Sequence, residues 1–181
     1  MKRAFSGVLL ASVFCFQACT VPAWVNTVES DAEIAAPIAA SLIGVIDPAL
    51  SPLVTQIDNG FSALAKTLDT YKALPTSTNL QAVEAAFEAV NANVAQLESA
   101  AQIKNAATQT TVTSVVDLLA QAVTEIGALV PAAPGAAPQI ASLQVQIPSS
   151  GSRVAKGWKA KDFKKQYNKI IKGDPRFKPL K

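Results

Sequence analysis

The sequence predicts an all-α fold: an up-down antiparallel bundle of three long helices plus a kinked N-terminal helix, then a flexible linker and a short basic C-terminal helix. Three observations carry this. First, Leu80, Val83, Phe87, Val90, Val94 and Leu97 alternate in spacings of three and four, the seam of a helix with one face committed to a partner. The same spacing recurs at Leu50, Leu53, Ile57, Phe61, Leu64 and Leu68, and again at Val112, Val115, Leu119, Val123, Ile126 and Val130. Second, proline punctuates the chain between these runs, at Pro48, Pro75 and Pro131. Third, the chain is 50% hydrophobic but only 6% aromatic, and the surplus is alanine. Alanine favours helix and lets helices approach, yet adds little apolar area, so the expected bundle is slim.

Residues 1–18 have the layout of a secretory signal. Met1-Lys2-Arg3 is basic, and Ala4 to Phe16 follows without a charge, a run shorter than the roughly 20 residues a stable spanning helix needs. The run closes on Phe16-Gln17-Ala18-Cys19, which resembles the lipobox of bacterial lipoproteins, where a small residue precedes a cysteine. Ala18 fits that pattern; Phe16 and Gln17 depart from it. The resemblance covers the signal alone. It implies cleavage before Cys19, acylation of its thiol with chains such as palmitate, and a membrane-anchored mature chain. Thr20 and Val21 in place of an aspartate imply the outer membrane rather than inner-membrane retention. Ordinary secretion and a retained anchor are the alternatives. Each buried methylene of an acyl chain contributes about 0.8 kcal/mol, so several chains hold a protein on a membrane nearly permanently. Cys15, behind Phe14, is expected to be an inert apolar residue of the signal.

Residues 19–29 are expected to form the lipidated start and a tether, and residues 30–130 the bundle. Ser30 and Glu33 have capping-box spacing, so a helix is expected to open there. Pro37 should kink or restart it, with Ile38, Leu42 and Ile46 continuing the apolar face. The uncharged run from Ile34 to Ile46 suits a buried or interfacial helix rather than a span. Asp47-Pro48 is a strong restart, because Asp caps the amides and Pro at the first helical position sacrifices no hydrogen bond. The helix from Pro48 should reach about Ala73, crossing Gly60 at a local cost of about 1 kcal/mol, and end at Leu74-Pro75. Thr78 and Gln81 offer a capping box for the next helix, expected to reach Ala101. A turn near Lys104 to Ala106 leads to the third long helix, which Pro131 stops after Val130. The acids Asp58, Asp69, Glu84, Glu88, Glu98, Asp117 and Glu125 are expected on solvated outer faces.

Residues 131–152 change to Pro, Ala, Gly and Ser, a linker composition. Within them Leu143 to Ile147 alternates like a short strand with no evident partner. As a coil these residues span roughly 25 Å, enough for the tail to act apart from the bundle. The tail, residues 153–181, carries eleven Lys or Arg against Asp162 and Asp174, a balance of +9. Residues 20–152 carry Lys66, Lys72 and Lys104 against eleven acids, a balance of −8. The chain is a charge dipole. Phe163, Tyr167, Ile170 and Ile171 mark one face of a short helix that Gly173 and Asp174-Pro175 end.

The absence of histidine closes off Ser/His and Cys/His catalysis, and with both cysteines in the first nineteen residues it excludes a His/Cys metal site. Glu84 and Glu88 stand one turn apart, an arrangement expected to be solvated rather than a proton-sharing or cation site. No phosphate loop is present; no cofactor and no enzymatic activity are expected. The segment with functional character is the basic tail. Arg153, Lys156, Trp158, Lys161, Lys164, Lys165, Lys169 and Lys172 suit an anionic lipid surface, an envelope polymer or an acidic protein. Nucleic acid is set aside because an exported chain rarely meets it. A tail folded back on its own acidic bundle is the competing arrangement. Association of copies through the seams is open. Two functions therefore stand: an envelope lipoprotein acting as a non-catalytic helical spacer or docking module, or a membrane-active, phage- or prophage-derived lysis accessory.

Overall fold

The computed structural model describes residues 21–104, 110–132 and 159–181. Cys19, the signal, residues 105–109 with most of the turn expected near Lys104 to Ala106, residues 133–158 with the expected linker and its Leu143–Ile147 run, and Arg153, Lys156 and Trp158 lie outside them. The described chain is all-helical: α1 (Ala23–Ser41), a 3-10 turn (Pro48–Leu50), α2 (Ser51–Ala73), α3 (Ser77–Lys104), α4 (Thr110–Leu129) and α5 (Ala160–Ile170). The five α-helices pack on one another around a single apolar core.

Helix α1 begins seven residues before the expected Ser30. Val25 and Val28, both fully buried, extend its apolar face backward through Ala32, Ala35, Ile38, Ala39 and Leu42, so tertiary burial outweighs the capping signal. The first turns are also held from outside. Trp24 rests on Tyr71 with ring centroids 5.6 Å apart, and Glu29 pairs with Lys72. The helix passes Pro37 without restarting. Pro37 is exposed, so the carbonyl it leaves without a partner lies on the side that water reaches.

Asp47 caps as expected, its Oδ1 accepting the Ala49 N–H at 2.8 Å. Leu50 then lies in the tighter 3-10 turn, and it and Leu53 are half-buried at the start of the seam. Val54 is fully buried where Leu53 was expected, and the face continues through Ile57, Phe61, Leu64, Leu68 and Tyr71. Leu74 is extended ahead of Pro75, which ends α2. The cap of α3 is Thr76 rather than Thr78: the Asn79 N–H bonds its Oγ1 at 3.2 Å, while Asn79 Nδ2 bonds the Leu74 carbonyl at 2.7 Å. All six seam residues of α3 are buried.

Glycines let α3 close on both neighbours. A Cβ on Gly60 of α2 would sit 2.8 Å from Val90 Cγ2, and one on Gly127 of α4 would sit 2.6 Å from Phe87 Cζ. Gly60 therefore admits α3, beyond being a helix position that alanine would fill better. Helix α4 is buried on more than one side, through Val112, Val115, Val116, Leu118, Leu119, Ala122, Val123 and Ile126, because α1, α3 and α5 all lie against it. It is long and apolar enough to cross a membrane by length and composition, and here its apolar faces are taken up by its neighbours.

The acids are not uniformly solvated. Glu84 and Glu98 are each only 7% exposed, and Asp31, which carried no signal in the sequence, is 2% exposed.

Candidate functional site

Helix α5 carries four of the predicted contact residues, Lys161, Lys164, Lys165 and Lys169, with Lys172 in the turn after it, and its sequence dictates a two-faced helix. Phe163, Tyr167 and Ile171 recur at four-residue spacing and are buried, with Ile170 half-buried beside them. This face packs on α1 and α4. The tail is therefore docked on the bundle over its described length, correcting the expectation that it acts apart from it. The physical reason is that an aromatic stripe has far more to gain in a core than in water.

Polar contacts fix where α5 lies. The Asp31 carboxylate of α1 takes the backbone N–H of Ala160, at the first turn of α5. Further along both helices, the Ser41 hydroxyl lies within hydrogen-bonding reach of the Tyr167 hydroxyl. The two helices therefore run side by side in the same direction. The Lys159 N–H bonds Asp162 Oδ2 at 3.1 Å, closing the first turn of α5. At the other end Gly173 adopts φ +94°, a conformation natural to glycine, and turns the chain back. Asp174 then holds Arg176 in a two-pronged ion pair, with Nε at 2.9 Å and Nη2 at 2.7 Å, and also meets Thr111 of α4. Beyond it, Phe177 is buried, Tyr167 donates to the Lys178 carbonyl, and Asn168 exchanges hydrogen bonds with Leu180.

This arrangement sorts the cations. Lys161, Lys165 and Lys169 recur at a spacing of four along about 12 Å of α5, and Lys172 follows in the turn beyond it; all four are exposed, on the side away from the buried aromatic face. Lys164 is half-buried at its flank. None of these lysines is in an ion pair among the described residues. Lys159, Arg176, Lys178 and Lys181, which sequence reasoning did not single out, are exposed as well. Lys178 and Lys181 come beside α5 only because the last residues fold back, and nothing in a charge count signals that.

Several carboxylates of the bundle are shifted by their surroundings. Burial pushes Asp31 above the ordinary carboxylate range, and nearby Glu125 adds to this while the Ala160 N–H opposes it; Asp31 Oδ2 has no hydrogen-bond partner. Burial likewise raises Glu98, with Asp117 contributing, and burial raises Glu125. An open cleft of about 250 Å³ between α4 and α5 is lined by Ser114, Asp117, Leu118, Gln121, Gln166 and Ile170. Among the described residues no group of three or more Asp, Glu, Cys or His side chains is placed to hold a metal ion.

Compared with protein-family models, with curated proteins and with solved structures, the chain matches none.

Proposed function

We propose that this chain is a cell-envelope lipoprotein, a non-catalytic helical spacer or docking module tethered through Cys19 on the outer-membrane or periplasmic side, whose basic C-terminal segment contacts an anionic surface or partner. The observation that carries the reading is the division of α5. Its aromatic face is held in the core while Lys161, Lys165, Lys169 and Lys172 face outward without ion-pair partners among the described residues. A helix docked this way presents charge rather than grease. In this reading α1 to α4 run up and down in turn, with a bend at Pro37. The meetings of Trp24 with Tyr71, Gly60 with Val90 and Phe87 with Gly127 support that course.

The tether is tested by Cys19→Ser, which should move the protein from the membrane to the soluble periplasmic fraction and abolish acyl labelling. Unchanged membrane retention in high salt would show that acylation is not what holds it. The rival reading, a lysis accessory, needs apolar segments to leave the core for a bilayer. It predicts leakage and growth arrest on overproduction, whereas the spacer reading predicts neither.

A further inference from the structure

We propose that the row Lys161, Lys165, Lys169 and Lys172 seats the helical domain side-on against an anionic phospholipid bilayer, by electrostatics alone and with α5 still docked. This deepens the reading above, resting on its contact with an anionic surface but not on its Cys19 tether.

Three observations select a bilayer. The first is direction. The Asp31–Ala160 and Ser41–Tyr167 pairs lay α5 lengthwise along α1, so the lysine row follows a helix axis of the domain. A convex body meets a plane along a line of that kind, and all four lysines reach a flat surface together only when the domain lies down on it.

The second is the type of cation. The row is entirely lysine, a flexible and strongly hydrated point charge, while the arginine among the described residues, Arg176, has its fork committed to Asp174. Planar, two-pronged recognition of a fixed phosphate is what a free arginine supplies. Lysines without a fork suit charges that diffuse sideways to meet them, as lipid headgroups do. Lys178 and Lys181, brought alongside by the Asn168–Leu180 exchange, widen the contact without adding a pocket.

The third is the shape of the surroundings. The cleft beside α5 is lined by Asp117, which repels an anion, so this cleft does not serve the row as an anion-binding groove. Phe163 and Tyr167 are fully buried and contribute nothing to insertion, which makes the contact electrostatic and sensitive to salt.

The test uses the full chain carrying Cys19→Ser, with vesicles of phosphatidylcholine alone or mixed with phosphatidylglycerol. The ratio of binding to the two vesicles removes any contribution common to both. The expected result is preferential binding to the anionic vesicles, lost at high salt. Each of Lys161→Gln, Lys165→Gln, Lys169→Gln and Lys172→Gln should lower binding about fivefold, as the contribution of a single lysine near an anionic membrane implies. Lys66→Gln, exposed on α2, should leave it unchanged. Thermal melts check that each variant is folded.

Hydrogen exchange at the Phe163 and Tyr167 amides should stay slow on the vesicles. Fast exchange there would mean that α5 undocks and inserts, which overturns the proposal. Equal binding to both vesicles, or undiminished binding by the folded lysine variants, also overturns it. So does binding of soluble polyphosphate without vesicle binding, which would assign the row to a polymer. Failure of the vesicle arm leaves the acylation result at Cys19 standing, and the converse holds, so the two readings fail separately.

Discussion

Asn168 and Leu180 exchange two hydrogen bonds: the Leu180 N–H donates to Asn168 Oδ1 at 2.8 Å, and Asn168 Nδ2 donates to the Leu180 carbonyl at 3.0 Å. A side-chain amide thereby mimics a neighbouring strand and straps the last residues along α5. Asn168→Ala should loosen this strap by about 1–3 kcal/mol, the net of two part-buried hydrogen bonds. Hydrogen exchange at Leu180 and carboxypeptidase digestion both read it, and Asn168→Asp, which keeps the acceptor only, should fall between. Unchanged exchange at Leu180 in Asn168→Ala would refute the strap.

Gly127 is where α4 makes room for the Phe87 ring. Alanine is normally better than glycine in a helix by about 1 kcal/mol, yet here its Cβ meets a ring locked in the core. Gly127→Ala should therefore destabilise by about 1–3 kcal/mol in urea denaturation. Adding Phe87→Leu should make the pair less costly than the sum of the two changes. Gly60→Ala should behave alike, with Val90→Ala as the relieving partner, because a β-branched residue in a helix has little freedom to turn away.

Phe163 is fully buried on α5. Phe163→Ala should cost about 3–5 kcal/mol of docking energy. Its signature is local: amides of α5 exchange quickly while those of α2 and α3 keep their protection. Equal loss of protection in α2 and α3 would show instead that α5 and the bundle unfold as one unit.

The carboxylates set an unusual pH profile. Asp31, Glu98 and Glu125 are raised above their ordinary values, so each binds its proton more tightly folded than unfolded. Stability from these groups therefore rises as pH falls from neutral toward the ordinary carboxylate range, about 4. Asp174 has the opposite sign. The Arg176 guanidinium holds it down at about 2, so its contribution is complete above 3.8 and is lost as pH falls below that. The melting temperature should climb on mild acidification and then drop, and Asp31→Asn, which still offers an oxygen to Ala160, should flatten the climb. A steady decline from neutral pH downward would contradict the assignment of buried carboxylates.

Much of the fold was legible because it is local. Leu80 to Leu97 read as a buried stripe and all six residues are buried; Asp47-Pro48 read as a start and caps as one; Leu74-Pro75 read as a stop and is one. The misreadings have local causes too. Ser30 and Glu33 have cap spacing but lie inside α1, since burying Val25 and Val28 outweighs a cap worth about 1 kcal/mol. Of the candidate contact residues, the lysines of α5 were legible from spacing, and Lys178 and Lys181 were not, because a turn and one asparagine bring them there.

The order of residues by itself determined which stretches are helical, where Asp47-Pro48 and Leu74-Pro75 divide them and which side of each is apolar, because periodicity, proline and capping act within a few residues of one chain, while the start of α1 was left to tertiary burial. It also determined the separation of charge, acidic body from basic end. Only the tertiary structure decided that the apolar side of α5 is satisfied by α1 and α4, that Asp31 sits in the interior beneath the first turn of α5, and that two glycines admit Val90 and Phe87. An amphipathic stripe states that a face must be covered; what covers it depends on which distant surfaces fit, a property of the assembled helices rather than of any one.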